Sequence, residues 1–126
     1  MDARSVLLLS LGGVAGTLAR AAISLWAARR WGAAFPFGTL IVNAAGCFLI
    51  GLLGTLCQRG TLGTEFRTAA VVGMLGAFTT FSAFSFETWQ MAQAGNWEGA
   101  LLNVGLSLVA GFAALAAGVG LARAFA

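Results

Sequence analysis

Four apolar runs, at about residues 5–28, 37–58, 66–93 and 99–122, fill almost the whole chain and leave only short polar connectors between them. Each is long enough, as a helix rising about 1.5 Å per residue, to cross a hydrocarbon core about 30 Å thick. The pattern therefore predicts four membrane-spanning helices in a single domain over 1–126. The first run contains Arg20 and is followed by others of similar length, so it reads as a retained helix rather than a cleaved signal. The only proline, Pro36, stands where the second helix is expected to start. In the second run Gly46, Gly51 and Gly54 form a groove for close backbone packing. In the fourth, Asn103, Ser107, Gly111, Ala114 and Gly118 recur three or four apart and draw a narrow small and polar stripe that belongs inside the protein.

The third run is less regular. From Gly73 to Glu87 it reads GMLGAFTTFSAFSFE, apolar enough for a membrane helix yet full of residues that interrupt one. Phe78, Phe81 and Phe84 stand three apart, with Thr79, Thr80, Ser82 and Ser85 supplying hydroxyls between them. Aromatic edges and polar groups are offered together.

Composition settles the class. Of 126 residues 60% are hydrophobic and 9% charged, against about 25% charged in an ordinary soluble domain. With a mean hydropathy of +0.91, the chain reads as an integral membrane protein. The net charge of +3 comes from seven arginines against four acids. They are scattered between apolar runs, which excludes a nucleic-acid surface and suits membrane-end anchors. Four spans put Arg4, Arg59, Arg67 and Arg123 on one side and Arg29 and Arg30 on the other, a weak bias that permits insertion in both orientations. Cys47 and Cys57 are about 15 Å apart along one helix, too far for a disulfide within it. Without histidine they imply no metal site either.

No histidine base, activated nucleophile or carboxylate pair on one helix face is present, which argues against an enzyme. Polar residues inside a bilayer are costly and mark a pathway or a site. Asn43 has two N–H donors that suit a passing anion, or a bond to a neighbouring helix. Phe81 and Phe84 either pack or turn their positive ring edges to an anion. Arg20 either snorkels to the interface or forms an electropositive vestibule.

The combination of GxxGxxTTFSxFSxE at 73–87, GTLIVNAAGCFLIG at 38–51 and Arg20 in the first helix resembles the Fluc (CrcB) family of fluoride channels over nearly the whole chain. The resemblance implies an all-α membrane protein of four transmembrane helices with a broken third helix, assembled as an antiparallel, dual-topology homodimer with two fluoride pores at its interface. It implies that Asn43, Phe81, Phe84, Ser82 and Ser107 line the pore, and a pore of that kind favours the vestibule among the two readings of Arg20. It also implies a structural sodium ion at the dimer centre, held by the backbone carbonyls of Gly76 and Thr79. The glycines of the second helix would supply the close contact between subunits. The function implied is passive fluoride export across a prokaryotic plasma (inner) membrane. Ala83, Asn103 and Gly111 depart from the family pattern, which commonly has threonine, tyrosine and a hydroxyl residue there. The alternatives are a small four-helix proton-coupled exporter of organic cations, which needs an intramembrane carboxylate expected on the first helix, and a non-conducting subunit of a larger assembly.

Overall fold

The computed structural model describes residues 1–125. It is built from helices alone: α1 (Ala3–Trp31), α2 (Phe37–Gln58), α3 (64–78), α4 (Phe81–Gln93) and α5 (Trp97–Ala124). Four stretches, with α3 and α4 counted as one, are long and apolar enough to span a membrane. The first helix begins two residues before its apolar run and continues to Trp31, and α5 likewise overruns its expected limits at both ends. Interface residues such as Arg29 and Arg30 simply continue the helix out of the hydrocarbon. Asp2 caps α1 through its carboxylate, which accepts from Ser5 N at 2.9 Å.

The third span is broken between Phe78 and Phe81. Gly76 itself is helical, and the extended residues are Thr79 (φ −83°, ψ 158°) and Thr80 (φ −152°, ψ 113°). Within α3, Arg67–Leu75 is wound as a π-helix, a rare geometry with one more residue per hydrogen-bonded ring.

Backbones meet where side chains are smallest. In lipid no hydrophobic force drives helix against helix, so packing relies on small residues and polar ties. Gly12 and Gly16 of α1 lie against the α3 carbonyls of Ala69 and Met74, while Gly51 of α2 and Gly118 of α5 each face a carbonyl of the other helix, Leu115 and Phe48. Gly46 faces the Thr79 methyl. The α2 groove expected to receive a second subunit is thus filled at Gly46 and Gly51 by the chain's own residues. Asn103 and Gly118 are buried, as the α5 stripe predicted. Val42, Leu75 and Phe78 form the small apolar core, so Phe78 packs inward and separates from Phe81, which is 79% exposed.

The two ends of the bundle differ. Trp26, Trp31, Trp89 and Trp97 all fall at the end shared by the α1–α2 and α4–α5 connections. There Trp26 stacks edge-on against Trp31 at 5.0 Å, and Trp31 meets Phe37 at 5.5 Å. The opposite end carries Arg4, Arg59, Arg67 and Arg123, with Arg4 and Glu65 paired at 2.6 Å on the surface.

A methyl group at Gly118 would fall on the Phe48 carbonyl and stand 2.9 Å from Leu52 N, whereas one at Gly120 meets open space. Gly118→Ala is expected to cost about 1–3 kcal/mol of stability through overpacking. Gly120→Ala should be neutral or slightly stabilising through helix propensity. Thermal unfolding of the two variants in detergent, followed by circular dichroism, checks the difference.

Candidate functional site: a helix break beside two phenylalanines

A break at membrane depth frees backbone groups that no water is present to satisfy. Asn43, on the face of α2 opposite the break, meets this need. Its Nδ2 donates to the Thr80 carbonyl at 3.0 Å and its Oδ1 accepts from Thr80 N at 2.7 Å, so one side-chain amide replaces both partners of one residue. Of the two alternatives open from sequence, the tie to a neighbouring segment is the contact present, and one amide N–H is left for a ligand. The Thr80 hydroxyl then caps α4 by accepting from Ala83 N at 3.1 Å.

These bonds free two carbonyls. In an unbroken helix Thr80 N would donate to the Gly76 carbonyl and Ala83 N to that of Thr79. Here those amides go to Asn43 and to the Thr80 hydroxyl instead. Gly76 is exposed, with nothing within 4 Å of the position its side chain would take. Backbone carbonyl oxygens released in this way have the chemistry that a hard cation prefers, so the residues present fit a sodium ion held by backbone oxygen.

A cavity of about 360 Å³ brings together Asn43, Gly76, Thr79, Phe81, Phe84 and Ser107. The two rings lie 5.5 Å apart at 44° to each other. Ser82 is not among the cavity's lining residues; it is exposed, with its hydroxyl 3.2 Å from that of Thr80. Arg20 lines neither this cavity nor the next one. With α1 running to Trp31 it lies about three turns from the helix end. Its Nε is buried without a partner among the described residues.

A second cavity, of about 460 Å³, opens toward the tryptophan end and is lined in part by Ser24, Thr39, Glu87 and Gln90. Thr39 Oγ1 donates to Glu87 Oε1 at 2.8 Å. Thr39 precedes Asn43 by four residues, so the two share a face of α2 about 6 Å apart along the axis. The stripe Asn43, Thr39, Glu87 therefore runs from one cavity to the other. Sequence reasoning passed over Thr39, although its i, i+4 spacing from Asn43 was the available signal.

Comparison with known proteins gives this arrangement a context. Residues 7–119 match the family described as "CrcB-like protein, Camphor Resistance (CrcB)". The chain belongs to the CrcB family. A protein named "Fluoride-specific ion channel FluC" from Chloroflexus aurantiacus is 45% identical over 122 residues, which is 96% of this chain and 97% of that one. One of the same name from Roseiflexus sp. is 43% identical over 120 residues, 94% and 97% of the two chains. Another from Shewanella oneidensis is 46% identical over 104 residues, 82% and 84% of the two chains. The bacterial relatives and four spans identify this CrcB chain as a multi-pass protein of a prokaryotic membrane.

Replacing Asn43 with leucine leaves the Thr80 N–H and carbonyl without their side-chain partner. Asn43→Leu is expected to lower stability by about 1–3 kcal/mol, the cost of an unsatisfied buried polar group, and to speed amide exchange at Thr80. Thermal unfolding and hydrogen exchange by mass spectrometry read the two effects.

Proposed function

We infer that the chain is a passive fluoride-selective channel. The observation that carries this reading is the near full-length likeness to proteins named as fluoride-specific channels, in a chain whose Asn43, Phe81, Phe84 and Ser107 share one cavity. An ion channel is not an enzyme, in keeping with the absence of catalytic constellations in the sequence.

Selectivity follows from what replaces the ion's water. The remaining N–H of Asn43, the Ser107 hydroxyl and the positive ring edges of Phe81 and Phe84 offer an anion uncharged partners, which bind it and still release it. Ser82 and Arg20 stand outside that cavity within one chain. Their assignment to the pore and the vestibule depends on a second copy completing the wall.

The reading includes an antiparallel homodimer. Phe81 and Gly76 are both exposed, and Gly76 has open space where a side chain would stand, so both await a covering surface. Four arginines against two leave little to fix one orientation. A sodium ion at the centre of that dimer, on the carbonyls of Gly76 and Thr79, would satisfy oxygens that the break has freed. It is structural and carries no current. The organic-cation exporter is disfavoured, because α1 has no acid within its span and carries Arg20 instead.

Purified protein in liposomes is expected to release fluoride and retain chloride; equal chloride flux, or none of either from folded dimers, overturns the reading. Phe81→Ile or Phe84→Ile should abolish or greatly reduce fluoride flux while the dimer persists on size-exclusion chromatography, and normal flux would remove the rings from the path. For the sodium site, the unfolding midpoint of the wild-type dimer should rise when sodium replaces choline at constant ionic strength. A midpoint indifferent to sodium counts against the ion.

A further inference from the structure

Helix α4 carries Phe81 and Phe84, yet none of its residues is buried within the chain. Three polar ties fix its rotation about its own axis in addition to half-buried packing. Two reach α2: Asn43 to Thr80 at the break and Thr39 to Glu87. The third reaches α5, where Asn103, 1% exposed, donates from Nδ2 to Thr88 Oγ1 at 2.9 Å. Thr88 Oγ1 in turn donates to the Phe84 carbonyl at 2.7 Å.

The directions of these bonds are fixed by proton count. A threonine hydroxyl has one proton, and that of Thr88 is spent on Phe84, so the Asn103 atom facing it must be the donating nitrogen. The relay thus ends on the backbone of a cavity-lining residue. Neither Asn103 nor Thr88 lines either of the two polar cavities, so neither touches the ion path directly.

We propose that Asn103 is a positioning residue which, through Thr88, fixes the rotation of α4 and the angle at which Phe84 presents its ring edge, and so sets the discrimination between fluoride and chloride. The proposal rests on the fluoride-channel reading for its functional consequence, though not for its geometry. On a helix whose radius with side chains is about 5–6 Å, a rotation of about 10° carries a side-chain tip about 1 Å. A pore that replaces an ion's hydration by direct contacts discriminates on that scale. The ties to α2 anchor α4 to one helix, and Asn103 anchors it to a second.

The test uses the full chain carrying Phe84→4-fluorophenylalanine, read by fluorine NMR in nanodiscs, and unlabelled protein in liposomes for the fluoride-to-chloride flux ratio. Asn103→Leu and Thr88→Val, which keeps the shape of threonine, should each shift or broaden the Phe84 signal. Each should lower the flux ratio about threefold, the order of one interhelical hydrogen bond in a membrane. The double variant should lose no more than either single one, and Thr88→Ser, which keeps the hydroxyl, should match the parent in both readouts. An unchanged Phe84 signal in both single variants overturns the proposal, as does a double-variant loss equal to the product of the two. If the parent itself conducts no fluoride, the channel reading falls while the ring signal still decides the relay.

Discussion

The Asn43 amide on Thr80 is the bond on which the remaining geometry depends. A helix interrupted inside a bilayer is tolerable only if its freed N–H and carbonyl groups find partners in the protein. One amide supplies a donor and an acceptor to a single residue, and by diverting Thr80 N it releases the Gly76 carbonyl. The same residue stabilises the break and creates its open oxygen. Under the proposed channel reading, pore lining and ion holding would be two results of one side chain.

The other contacts follow the same logic. Only a small apolar core is buried, and lipid gives apolar surface no reason to leave it. Glycine-to-carbonyl contacts at Gly12, Gly16, Gly51 and Gly118 bring α1 to α3 and α2 to α5, while α4, which lacks such contacts, is held by hydrogen bonds. The rings of Phe81 and Phe84 sit on a segment none of whose residues is buried within the chain. A weakly buried segment held by a few directional bonds has a defined angle without a rigid surround.

Much of this architecture was legible in the residues. Run length gives the four spans, and the α5 spacing of Asn103 and Gly118 gives its buried face. The TTFS segment announces an interruption, but its placement at Thr79–Thr80 depends on which amide Asn43 captures, a tertiary event. The α2 glycines were legible as a groove; what fills it was not, because a groove does not specify its occupant. Thr39 and Glu87 pair across 48 positions, and that pairing depends on the rotation of two separate helices. The π winding of Arg67–Leu75 has no signature that a 3.6-residue period reveals.

The placement of the indole rings carries one more implication. All four tryptophans lie at one end of the chain, and most of the terminal arginines at the other. Indole prefers the headgroup layer, so a single copy grips one leaflet more firmly than the other. A head-to-tail pair of such chains presents each leaflet with one aromatic and one basic end. Its two faces are then chemically the same, so the leaflets' differing lipids have little means of telling which way up it stands.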